Sequence, residues 1–264
     1  MNGSVPVLSV AFMAVSLIIS FALPIGLCIY FRKAKKADLM PFFVGIAVMI
    51  IFAFVLERLV HTLVLGSAAG AVIQGNTWLY ALYGGLMAGL FEETGRFIAF
   101  KTVLKKKQDK DVNALMYGAG HGGIEAIAIL GVASINNLIY SALINSGAVS
   151  VLTGSLSGDT LKQVEQAIQV LISTPSGQFL MGGIERISAV ILHLALSVLV
   201  WFAAKKAGKV RLYPAAVLIH FIVDAATVIA SRSGAPIIAV EVIVAALAIA
   251  AAVFAWNVWK KEKG

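Results

Sequence analysis

The chain has 264 residues, of which 60% are hydrophobic and 13% charged, and its mean hydropathy is +0.93. Those values lie outside the range of soluble globular domains and exclude one. The net charge of +8 would suggest nucleic acid in a soluble protein, but the basic residues fall at the ends of apolar segments. Anionic lipid headgroups are their simpler partners, and nucleic-acid binding is set aside.

Segments long enough to cross a hydrocarbon core of about 30 Å recur along the chain. The pattern predicts seven membrane helices, at 5–31, 39–65, 77–100, 113–143, 179–204, 212–230 and 236–259. The first is not a signal peptide in its pattern, because MNGSVPVLSV has no basic residue, the apolar run is too long and the charges follow it. It is expected to stay in the mature protein. Of the 21 Lys and Arg, sixteen form four clusters: Arg32 to Lys36, Lys101 to Lys110, Lys205 to Arg211, and Lys260 to Lys263. With seven spans all four clusters land on one side, which the positive-inside rule makes cytoplasmic. The N-terminus is then outside and the C-terminus inside.

Between the fourth and fifth spans, residues 146–178 form an outer loop. In TLKQVEQAIQVLIS the residues Leu161, Val164, Ile168, Leu171 and Ile172 recur at helical spacing, and Thr160 with Gln163 fits a capping box. A helix lying on the bilayer surface is expected there. Cys28 is the sole cysteine, so no intramolecular disulfide forms. No linker or repeat divides residues 1–264, and the fold expected is an all-α polytopic membrane bundle in one domain, with lipid as its surroundings.

Glu57, Glu92, Glu93, Glu125, Glu185, Asp224 and Glu241 lie within apolar spans, with Arg58, Arg96, Arg186, His61, His121, His193 and His220. An ionised group near the bilayer centre costs about 2.5–3.5 kcal/mol on insertion scales, so these side chains should face the protein interior and pair or bind something. Counting ~1.5 Å per residue from the basic clusters puts Glu92 and Glu93 roughly 12–14 Å deep, His121 roughly 15 Å, His193 roughly 18 Å and His220 roughly 14 Å. Four helices thus carry polar residues in one layer. Glu57, His61, Glu185, Arg186 and Glu241 come out at roughly 25 Å or more on the same scale and form a separate outer set; Glu57, Arg58, His61, Glu185 and Arg186 are read as structural pairs near the outer face.

Spacing within each helix adds detail. Glu92 and Arg96 share a face, as do His121 with Glu125 and His220 with Asp224. In such a pair the carboxylate can orient the imidazole through its second ring nitrogen. Glu92 and Glu93 point ~100° apart, so one can face a water while the other pairs with Arg96. Imidazoles and carboxylates at one depth suit a divalent metal, zinc first, with His121, His193, His220 and Glu92 as candidate ligands and a position left for water. A metal-bound water near neutrality with a glutamate to take its proton is hydrolytic chemistry. Glycines crowd these motifs and let membrane helices approach closely. GAGHGG formally matches a dinucleotide fingerprint, but no strand precedes it.

In order along the chain, FEETGR, YGAGHGGIEA, ERISAVILH and HFIVD resemble the YhfC family of intramembrane proteases. That family is similar to the larger group holding the CAAX prenyl proteases and the PrsW site-one proteases. The resemblance covers most of residues 40–230 and rests on the ordered set. It implies an endopeptidase of the bacterial cytoplasmic membrane that hydrolyses a peptide bond of a membrane-anchored protein or peptide. Glutamates would activate water, and histidines from later helices would bind a metal or the tetrahedral intermediate. Glu92, Glu93 and Arg96 match the group's EExxR motif, His193 a later histidine, and His220 with Asp224 the final HxxxD. His121 and Glu125 occupy the second motif, where histidine stands in place of the usual phenylalanine and glutamate ends it.

Two other classes fit part of the pattern. A non-catalytic membrane scaffold would keep the polar cluster for helix packing and partner binding. A transporter would use buried Glu and His as a proton relay, but it predicts matched interruptions in two halves, and the chain has no such symmetry.

Overall fold

A computed structural model describes residues 3–263, and among them every regular element is helical. In chain order these are α1 (Val7–Lys33), α2 (Met40–Leu65), the short α3 (Ala68–Gly75), α4 (Thr77–Lys101), α5 (Val112–Asn145), α6 (Gly158–Ser173), α7 (Ser176–Lys205), α8 (Leu212–Arg232) and α9 (Ile237–Glu262). A single helical turn also forms at Ser150–Thr153. The helices α1, α2, α5, α7, α8 and α9 are long and apolar enough to cross a membrane. Helix α4 falls outside that set. It has 25 residues, but Glu92, Glu93 and Arg96 interrupt its apolar run. All seven long helices coincide with the expected spans to within a helical turn, because each span ends where apolar sequence gives way to a cap, a proline or a basic cluster.

Local chemistry sets several of those boundaries. Pro41 stands in the first turn of α2, where its missing N–H costs nothing. The Asn76 side chain accepts a hydrogen bond from the Leu79 N–H at 3.0 Å and starts α4. Gly234, at φ +78°, takes the left-handed conformation just past α8. Two long helices carry wider turns in mid-helix, a π-helical stretch at Met49–Glu57 in α2 and another at Ile127–Gly131 in α5. Such stretches are frequent at functional sites.

The described chain forms two compact units. One combines the segment up to Ala22 with Ala126–Arg186. Its core is Val5, Met13, Ile144, Ile168 and Leu171. The Asn145 side chain ties this unit's N-terminal segment down, accepting from the Val5 N–H at 2.7 Å and donating to the Val5 carbonyl at 3.0 Å. The apolar stripe of α6 therefore packs on protein through Ile168 and Leu171. The helix also begins earlier than the capping-box reading, at Gly158, with Ser157 before it making no side-chain cap, so Thr160 lies inside the first turn. Glu185 and Arg186 pair with each other here, as expected of the outer set.

The other unit combines Leu23–Glu125 with the chain from Ile187 onward. Trp201, Phe100, Tyr117, Phe202, Leu196 and Leu199 are fully buried at its centre. At one end the basic clusters are stitched together by acids. Asp38 takes Lys110 at 2.9 Å and Lys107 at 3.7 Å, Asp111 takes Lys205 at 2.6 Å, and Glu262 takes Lys209 at 2.5 Å. The hydrogen bond from Lys110, joined by Asn113, holds the Asp38 carboxyl below the usual carboxylate range. The four clusters thus lie at the same end of this unit, as the even number of long helices between successive clusters requires.

Glycines bring the helices of this unit into backbone contact. A β-carbon at Gly120 would lie 2.0 Å from the Phe42 carbonyl oxygen, and one at Gly45 would lie 2.3 Å from that of Tyr117, so α2 and α5 cross with no side chain between them. Gly85 and Gly89 do the same for α4 against the Phe221 and Val217 carbonyls of α8, each at 2.7 Å from a built β-carbon. The obstacle at Gly120 is backbone, which cannot rotate away. Gly120→Ala should therefore cost about 1–3 kcal/mol of stability. Gly84→Ala, which meets open space, should cost little. Thermal unfolding of the two variants in detergent checks this, and equal melting would contradict the crossing.

Candidate metal centre

The α2–α5 crossing fixes His121. Flanked by Gly118, Gly120 and Gly122, it is fully buried, and its Nε2 lies 3.0 Å from Glu92 Oε2 of α4. Gly122 leaves room for the His193 ring of α7, whose Cδ2 would lie 2.9 Å from a β-carbon there. The two imidazoles stand side by side, with ring centroids 5.1 Å apart. His193 Nδ1 is 3.9 Å from the same Glu92 oxygen. One donor atom from each of Glu92, His121 and His193 thus falls within 4.8 Å of the others, and all three residues are buried.

Glu93 turns the other way. Adjacent helical positions diverge by ~100°, and here that divergence sends Glu92 to α5 and Glu93 to α8. Arg96 Nη1 donates to both Glu93 oxygens, at 2.6 and 2.5 Å, and His220 Nδ1 lies 2.9 Å from Glu93 Oε1. The partner of Arg96 is therefore Glu93, three residues back, and not Glu92, four back. Arg96 sits angularly between the two glutamates, and Glu92 is already engaged by His121. The difference separates their chemistry: the Glu93 side chain is 0% exposed and tied at both oxygens, whereas that of Glu92 is 8% exposed and, among the described residues, held through Oε2.

Arg96 also settles a tautomer. Its Nη2 lies 3.2 Å from His193 Nδ1, and a guanidinium can only donate. His193 Nδ1 is then the acceptor, so Nε2 carries the proton and donates to Glu125 Oε2 at 2.5 Å. Glu125 was expected to orient His121 within its own helix. It orients His193 of α7 instead, and His121 Nδ1 faces the Tyr117 hydroxyl at 3.4 Å. Spacing in one helix marks a shared face but not which neighbour that face meets. Asp224 stays near His220, at 3.5 Å from Nε2, and is 36% exposed.

All eight expected site residues therefore belong to one network across α4, α5, α7 and α8, but the expected ligand set is redistributed. His220 stands beside the Glu92–His121–His193 group, its ring 5.6 Å from that of His193, with a carboxylate facing each nitrogen. Sequence reasoning missed Tyr117, which stacks on His121 at 5.6 Å and 24° and lies under the Arg96 guanidinium at 5.9 Å. Its signal was present in YGAGH, four residues before the histidine on the same face. The outer set includes a real cluster: Glu57 Oε1 is 3.1 Å from His61 Nε2, and His61 Nδ1 is 2.9 Å from the Tyr83 hydroxyl. A cavity of about 270 Å³ lies beside it, lined by His61, Tyr83, Gly84, Asp224 and Thr227 among others. Asp224 links that cavity to His220.

The donor set fits a divalent cation. Two imidazoles and one carboxylate are a common catalytic zinc donor set, and Glu125 on the far nitrogen of His193 is the support such a ligand needs. His193 Nδ1, His121 Nε2 and Glu92 Oε2 are the atoms that would hold the ion.

These features define a polytopic α-helical integral membrane protein with a buried Glu–His–His group able to hold a metal. The chain belongs to the YhfC intramembrane metalloprotease family, whose model matches residues 19–246. It is 38% identical over 246 residues, covering 91% of this chain and 92% of the relative, to the uncharacterized membrane protein YhfC of Bacillus subtilis (strain 168). No solved structure matches the chain at a significant level.

Proposed function

We propose that the protein is an intramembrane endopeptidase that hydrolyses a peptide bond of a membrane-anchored substrate at the Glu92–His121–His193 centre. Helix α4 then serves as a seventh membrane span. The basic ends of the helices face the cytoplasm of a bacterial cell. The observation that carries this reading is the different tethering of two adjacent glutamates: Glu93 is locked by Arg96 and His220, and Glu92 remains available. A divalent ion bound by Glu92, His121 and His193, zinc by the donor types, would polarise the scissile carbonyl and bring its water within reach of deprotonation near neutral pH.

The chain's own residues then divide the work. Glu92, through Oε1, the oxygen left over from the ligand atom Oε2, accepts a proton from the water as the water oxygen attacks the carbonyl carbon. Arg96, wholly buried with its Nε unpartnered among the described residues, carries positive charge into a site where an oxyanion develops. His220, between Glu93 and Asp224, is placed to give a proton to the departing amide nitrogen as the C–N bond breaks. Glu125 and Tyr117 hold the two imidazoles in place. The cavity beside Asp224 is the route by which water and an unwound substrate backbone reach them.

The test is a comparison of peptide termini in membranes of cells expressing the wild type or Glu92→Gln. New termini inside membrane segments, present with the wild type and absent with the variant, support the proposal; identical termini in both contradict it. The route has its own check. A side chain at Gly84 meets open space and enters the cavity, so Gly84→Phe should reduce cleavage at least about tenfold while leaving metal content unchanged. Full activity in that variant would place the entrance elsewhere.

The alternative is a non-catalytic scaffold. It is favoured by one observation, that the network satisfies most of its own hydrogen bonds. It predicts partner capture unchanged in Glu92→Gln and no bound metal.

A further inference from the structure

A second site lies at the basic end of the same unit, away from the metal centre. Between the ends of α1, α5, α7 and α9 runs a half-open groove of about 610 Å³. Its floor is apolar, with Val198 among the residues lining it, and Trp256 and Trp259 form one side. Lys35 and Lys263 line it where the helices end. The aromatic rings stand in the last turns of their helices, at the level where tryptophan and tyrosine meet lipid headgroups. Trp256 is 54% exposed and Tyr30 is 49% exposed, so the apolar surface is presented outward and not consumed in the core.

The charges at this end are unevenly satisfied. Asp38, Asp111 and Glu262 are each engaged by other lysines, at Lys110 and Lys107, Lys205, and Lys209 and Lys206. Among the described residues neither Lys35 nor Lys263 has an acidic partner; Lys35 instead lies 5.7 Å over the Tyr30 ring. An apolar trough between membrane helices that ends at two ammonium groups with no acidic side-chain partner among the described residues matches one kind of ligand, an acyl chain joined to an anionic phosphate. We propose that this groove is a binding site for an anionic glycerophospholipid of the leaflet at the basic helix ends, with an acyl chain along the trough and the phosphate between Lys35 and Lys263. Basic pockets between membrane helices at this level are suited to such headgroups. The trough runs beside α5 and α7, the helices that carry His121 and His193 deeper in the membrane, so an occupied groove would brace both. The proposal stands whether or not the protein is a peptidase.

Tryptophan fluorescence of the full-length protein in phosphatidylcholine bilayers tests it, with brominated phosphatidylglycerol or brominated phosphatidylcholine as quencher at equal mole fraction. Brominated phosphatidylglycerol should quench at least about five times more effectively for each lysine engaged. That excess should vanish in Lys35→Gln/Lys263→Gln, whose exposed side chains leave the fold and melting temperature unchanged. It should also vanish in Trp256→Phe/Trp259→Phe, which locates the signal in the groove. Equal quenching by the two lipids, or a preference that survives either double variant, overturns the proposal.

Discussion

Glu92→Gln is expected to abolish cleavage while the protein still inserts into the membrane and melts near the wild-type temperature. Glutamine fills the same space, and its amide oxygen can still accept from His121 Nε2, the contact that holds Glu92 at 3.0 Å. What it loses is the ability to take a proton. Removing a general base costs typically 10²–10⁴-fold, and weakened metal binding adds to that. Glu93→Gln should also be inactive, for another reason. It removes the charge facing Arg96 and one partner of His220, so its defect should include lower stability. Fragment yield by mass spectrometry, read beside membrane fractionation and thermal unfolding, separates the two. A fully active Glu92→Gln removes the assigned base, and a Glu92→Gln that fails to insert assigns that residue to folding.

The largest stability effect belongs to Arg96. Its guanidinium and the Glu93 carboxylate are both 0% exposed and form a buried ion pair at 2.5 Å. Truncating one member of such a pair leaves the other charge without its counter-ion, at a cost of about 3–5 kcal/mol. Arg96→Met should therefore lower the melting temperature sharply. The double variant Glu93→Leu/Arg96→Met removes both charges and should recover much of that loss, since apolar replacements of buried pairs are often neutral or better. Neither should cleave. Wild-type melting of Arg96→Met would show that the pair is solvated and the site open to water.

Much of the fold was legible because a membrane leaves the chain few choices. Hydropathy and basic clusters located all seven long helices, since lipid admits only segments that satisfy their own backbone. Helix α6 was legible as a helix from its stripe, but its surroundings were not. Ile168 and Leu171 look the same in sequence whether they face lipid or, as here, Met13 and Ile144. At the site, depth along each span correctly grouped Glu92, Glu93, His121, His193 and His220. Pairing was less legible, since it depends on rotation and on neighbours. Only the helix arrangement shows that Glu125 reaches His193 and that Arg96 takes Glu93. The glycine runs also held more than was read from them. They predicted close approach, but not that Gly120 seats α5 on the Phe42 backbone while Gly122 makes room for the His193 ring beside His121.

The most direct test of the central claim is the metal content of the purified chain, measured by mass spectrometry for the wild type and for His121→Ala, His193→Ala and His220→Ala. The account predicts one divalent ion per chain, lost in the first two variants and retained in the third, because His220 serves Glu93 and Asp224 and not the ion. A wild-type chain that binds no ion after metal loading, or a His220→Ala protein as depleted as the other two, would contradict it.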